Sequence, residues 1–126
     1  MGLSDIPSLP ERPNLRVDIS RFAGKGAFVE FREPGLPDYM TDGKAARRLQ
    51  IDNPDFSDTL IRQILLLARC HIRQPGDPKD LEPSLTLARI AARNMGAWLH
   101  ILNAFSEAYP EDFDGQVEQA KNDSAE

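Results

Sequence analysis

Phe22 to Met40 reads FAGKGAFVEFREPGLPDYM, two glycines around a lysine, then an alternating run, then two prolines. Whether Gly24-Lys25-Gly26 holds a phosphate or turns a chain decides the fold class. A phosphate loop needs Gly-x-x-x-x-Gly-Lys-Ser/Thr between a strand and a helix, so that backbone amides and the helix N-terminus converge on the anion. Here Lys25 is followed by Gly26, the earlier glycine is absent, and the next run alternates like a strand. The two glycines are therefore read as loop residues that tolerate positive φ.

Working outward, AFVEFR, Ala27 to Arg32, is rich in β-formers, with Val29 and Phe31 on one face and Phe28, Glu30 and Arg32 on the other. Upstream, LRVDI, Leu15 to Ile19, alternates in the same way. The two predict a hairpin closed through Phe22 to Gly26, with the Val29 and Phe31 face buried. Downstream, Pro34, Gly35 and Pro37 cannot continue a ladder, and Lys44 to Leu49, KAARRL, fits a short helix.

Two long helices follow. NPDFSDTLIRQILLLARCHIR opens with Asn53 as N-cap, Pro54 at the first helical position and Asp55 near the positive end of the dipole. Its apolar half holds Phe56, Leu60, Ile61, Ile64, Leu65, Leu67, Ala68 and Ile72, and Leu66 falls in the polar half. The second helix, Leu81 to Tyr109, starts after Asp80 as a cap and stops at Pro110. On a wheel of 100° per residue its apolar residues cover about 220°, against a single stripe of Arg89, Arg93, Gly96, His100, Asn103 and Glu107.

The predicted fold is therefore α+β, mainly α: an N-terminal β-hairpin, a short helix and two long antiparallel helices. Residues 1–13, with three prolines, form an extended leader, 14–109 a single small domain, and 110–126 a disordered acidic tail.

The charge sits in that tail. The chain carries −5 overall, and Glu107 to Glu126 holds seven acids against Lys121. The remainder is near neutral, with bases spread among acids, so the basic footprint of nucleic-acid binding is missing. No apolar run approaches the roughly 18 residues of a membrane span. MGLSDIPSLPERP has no basic start or apolar segment, and Ile6 stands where a myristoylation motif needs Ser or Thr. A single cysteine, Cys70, leaves no internal disulfide, and a cytoplasmic location is expected.

No set of residues demands catalysis, a metal or a cofactor. Cys70 and His71 are adjacent and point about 100° apart on a helix, too divergent to share one metal from that helix alone. His71 is expected to be half-buried and His100 solvated. No Ser, His and Asp set shows a nucleophile signature. What stands out is surplus apolar surface. A packed stripe spans little more than about 100°, so part of the second helix is expected to meet another chain, by self-association or by capture of a client helix. Leu66, Trp98, Ile101 and Phe105 are the candidate partner-binding residues.

DISRFAGKGAFVEFREPGLPD resembles the start of tail assembly chaperones from long-tailed, siphovirus-type bacteriophages and prophages. The matching residues are Gly24, Lys25, Gly26, Val29, Glu30, Phe31, Arg32, Glu33 and Pro34. The downstream helices and acidic tail are also similar to that family, although EPGLPDYM is richer in proline than its simpler REPT-x-G-D pattern. The resemblance implies a non-enzymatic protein that binds and solubilises the helical tape-measure protein. It also implies assistance to assembly of tail-tube subunits and absence from the mature virion. An alternative is a small phage-encoded adaptor or inhibitor that binds a folded host protein.

Overall fold

The strands β1 (Leu15–Asp18) and β2 (Phe28–Phe31) pair antiparallel, Leu15 opposite Phe31 and Val17 opposite Val29. That register puts these four side chains on one face, as the alternation predicts. Phe31 and Val17 are buried, and Leu15 and Val29 pack half-buried against the core. The computed structural model describes residues 12–40 and 42–110. Most of the expected leader and all of the acidic tail beyond Pro110 lie outside the described residues.

The hairpin connection contains one helical turn, α1 (Ser20–Ala23), and then the two glycines. Gly24 and Gly26 have φ of +106° and +81°, and a Cβ at either would meet nothing within 4 Å. Backbone conformation, not space, is what favours glycine there. The chain leaves Gly26 into β2 and not into the helix that a phosphate loop would open.

The other edge of β2 is also occupied. Arg32 N–H donates to the Cys70 carbonyl and Ile72 N–H to the Glu30 carbonyl, both at 2.8 Å, and Phe31 bridges His71. The segment after α3 thus lies along the hairpin as a partial third strand.

A 3-10 turn spans Leu36–Tyr39, and α2 covers Gly43–Asp52. Asp42 caps α2 by accepting from the amides of Lys44 and Ala45, and the helix runs three residues past the expected Leu49. Asn53 does not cap the next helix, as the sequence reading expected. Its side-chain and backbone N–H both donate to the Leu49 carbonyl, so it closes α2. The side-chain amide of Gln50 then ties down the link by donating to the carbonyls of Pro54 and Phe56. The true cap of α3 (Asp58–Cys70) is Ser57, whose hydroxyl accepts from Leu60 N–H.

The expected second long helix is two. α4 (Pro83–Arg93) and α5 (Met95–Ala108) meet at Asn94, which is extended at φ −149° and ψ 90°. Asn94 N–H closes α4 on the Ile90 carbonyl, and its side-chain oxygen caps α5 by accepting from Ala97 N–H at 3.1 Å. Asp80 is not the cap of α4, which starts at Pro83 after Glu82. The break disposes of most of the apolar surplus. α4 buries Leu87, Ala88 and Ala91, an arc of about 100°, and α5 buries Ala97, Trp98, Ile101, Leu102 and Phe105, about 140°. Each arc is ordinary for a packed helix.

α3 lies at the centre, against α2, α4 and the 3-10 turn, while α5 packs on α4 and β1. Among the described residues no helix is long and apolar enough to cross a membrane.

Candidate functional site

The four candidate partner-binding residues are all core. Trp98, Ile101, Phe105 and Leu66 are no more than 3% exposed, so they do not form a surface face. Leu66 is covered because α3 has neighbours around most of its circumference, which a wheel drawn for one helix on one support does not include. Phe105 stands edge-on to Phe31 and Tyr109, with ring centroids 5.6 and 5.2 Å away. Ile101 also lines a surface hollow.

The segment that carried the family resemblance is scaffold as well. Arg32 makes a two-pronged pair with Asp38, both N–O distances 2.8 Å, and donates to the Arg69 carbonyl. Asp38 also accepts from Gly35 N–H at 2.7 Å. Arg69 returns across the gap to the carbonyls of Pro37, Asp38 and Met40. These bonds clamp the proline-rich turn onto the end of α3. Hydrogen bonding from Arg32 holds the Asp38 carboxyl below its ordinary value, against the opposing effect of burial. Glu30 accepts from the Gln74 amide, and Glu33 from Arg12 N–H with the Arg12 side chain beside it.

Cys70 is fully buried at the C-terminal end of α3. Burial pushes the Cys70 thiol up to about 12, with the Asp38 charge adding to it, so the thiolate is strongly disfavoured. His71 is half-buried at the end of α3, edge-on to Phe31, and burial lowers its pKa. His100 is exposed, with Nε2 at 3.0 Å from the Asp18 carbonyl oxygen and its ring beside Phe22. Among the described residues no group of three or more His, Cys, Asp and Glu is placed to hold a metal ion.

The feature that remains is the hollow, an apolar groove of about 240 Å³ where α1 meets the α4–α5 junction. Ile19, Phe22 and Ala23 line one side and Ile90 the other, over the buried Ala97 and Ile101. Arg89 and Arg93, both exposed, are also among its lining residues. Residues from three elements build it, so no single helix wheel could locate it. Its one legible signal was Phe22, a large apolar residue in a loop. No family model, curated protein or solved structure matches the chain.

Proposed function

We propose that the chain is a tail assembly chaperone of long-tailed bacteriophages or prophages. In this reading it binds apolar helical stretches of the tape-measure protein in the cytoplasm of the infected cell or lysogen, keeps them soluble while tail-tube subunits assemble, and is left out of the virion. The observation that carries the reading is the apolar groove between α1 and the α4–α5 junction. A chaperone of this kind buries its client's apolar face reversibly and needs a concave apolar surface that its own fold leaves open. Beside it stands the resemblance of the Gly24 to Pro34 segment.

The size of the groove suits release as well as capture. An engineered cavity of about 150 Å³ holds a benzene ring, so this one admits one or two large side chains of a client. Burying a Leu or Phe side chain contributes about 1.5–3 kcal/mol. One such anchor gives weak binding that assembling subunits can displace.

Co-expression of the full chain with an apolar helical segment of a tape-measure protein tests the proposal. The soluble fraction of the segment is expected to rise. Ala23→Trp, which fills the groove from its exposed side, is expected to abolish the rise without lowering the melting temperature. A segment that stays insoluble with the native chain sinks the proposal.

A further inference from the structure

We propose that the groove selects helical segments in which a large apolar residue is flanked by carboxylates about one turn apart, with Arg89 and Arg93 as the selecting cations. This deepens the chaperone reading, and rests on it only for the source of the segment.

Most arginines of the described chain are engaged. Arg32, Arg48 and Arg12 pair with Asp38, Glu82 and Glu33; Arg69 and Arg73 donate to backbone carbonyls; Arg16 and Arg21 lie over the rings of Phe28 and Phe22. Arg89 and Arg93 have no ion pair or hydrogen bond among the described residues, and no carboxylate lines the groove beside them. Two other surface hollows differ on that point. One carries Asp58 beside Arg47 and Arg62, the other Asp18 beside Arg21. Among the described residues the groove therefore combines an apolar lining with two arginines that no lining carboxylate answers.

The spacing sets the ligand. Arg89 and Arg93 are four residues apart on α4, so their side chains leave one face of the helix about 6 Å apart. A partner helix answers them best with acids three or four residues apart, which share a face at the same interval. Net attraction is not the cause, because the chain as a whole carries −5 and repels an acidic partner at long range. Selection is local.

One such acidic stretch is in the chain itself, where Phe113 stands among Glu111, Asp112 and Asp114. Phe113 follows Tyr109 by four residues, which span at most about 14 Å when extended. Tyr109 lies about 18 Å along α5 from Ala97. That span covers the roughly 12 Å from Tyr109 to Ile101 at one end of the groove but not the distance to Ala97, so the proposed occupant is a segment of another protein.

The test uses the full chain and two fluorescein-labelled helical peptides, each with a central phenylalanine beside a charged pair four residues apart. The pair is glutamate in one peptide and lysine in the other. Fluorescence anisotropy at low salt is expected to show at least a tenfold preference for the glutamate peptide, weakened at high salt. Arg89→Glu with Arg93→Glu is expected to reverse that preference, and the milder Arg89→Gln with Arg93→Gln to erase it, both with a melting temperature close to native. Equal binding of the two peptides, no binding of either, or a preference unchanged in these variants overturns the inference. So does tighter binding of the glutamate peptide when Phe113→Ala is introduced, a change that leaves the net charge untouched, because the chain's own segment would then be the occupant. Solubilisation of a tape-measure segment without a charge preference removes this inference and leaves the chaperone reading. A charge preference without solubilisation supports the inference and removes that reading.

Discussion

At the hairpin end of the molecule Arg32 and Arg69 are committed to the fold, whereas at the groove end Arg89 and Arg93 make no described ion pair or hydrogen bond. Apolar residues divide in the same way. Phe105 is enclosed by Phe31 and Tyr109 near the hairpin, while Met95 and Leu99, on the same helix α5, are nearly half exposed. Residue type does not separate structural from available groups here. Enclosure does, because a charge or a ring is held in place only where several elements converge on it.

The comparison breaks first, if at all, at Phe105. Phe105→Ala is expected to cost about 3–5 kcal/mol, since it opens a cavity among enclosed rings, whereas Leu99→Ala is expected to cost below about 0.5 kcal/mol. Urea unfolding followed by circular dichroism measures both. Similar losses at the two positions would mean that α5 is not divided between an enclosed and an open face.

Next in size is Asp38→Ala, expected to cost about 2–3 kcal/mol, because it strands Arg32 and releases the Gly35 amide. The half-exposed Arg32 side chain keeps the loss below that of a fully enclosed pair. A loss under about 0.5 kcal/mol would make the Arg32 clamp ornamental.

A pH series sharpens the same point. Hydrogen bonding from Arg32 depresses the Asp38 pKa in the folded chain, so on acidification the unfolded chain takes up this proton first. The stabilisation from Asp38 is then complete near neutrality and is lost as pH falls below the ordinary value of 3.8 toward the folded one. Asp38→Asn is expected to flatten the stability curve in that acid range. An unchanged slope would place the acid sensitivity on other carboxylates.

The smallest effect is expected at the groove. Arg89→Ala together with Arg93→Ala should leave stability within about 0.5 kcal/mol of native, as substitutions at exposed residues without partners do. A loss above about 1 kcal/mol in the same unfolding experiment would move these arginines from the available class to the structural one.

Much of this architecture was legible in residue order because it depends on neighbours in the chain. The alternation of Leu15 to Ile19 and Ala27 to Arg32 set which hairpin face turns inward, and Gly24 and Gly26 marked the positive-φ loop. Proline marked the end of β2, and an apolar half of the helical wheel marked α3. Asn53, Ser57 and Asn94 were harder. Each is a good cap, and the chain uses Asn53 to close one helix and Asn94 to close one and open the next. A local propensity favours a helix end without stating which end.

What tertiary structure alone decided is what covers what. Periodicity counts apolar residues on a helix but not the elements packed around it, so Leu66, Trp98, Ile101 and Phe105 read as surplus until α2, α4, the hairpin and the break at Asn94 enclosed them. The groove arises at the same level, from Phe22 in the hairpin loop, Arg89 in α4 and Ala97 in α5. Those residues are far apart in the chain, and their meeting depends on the loop-closure and packing free energy of the whole fold, which no local pattern encodes.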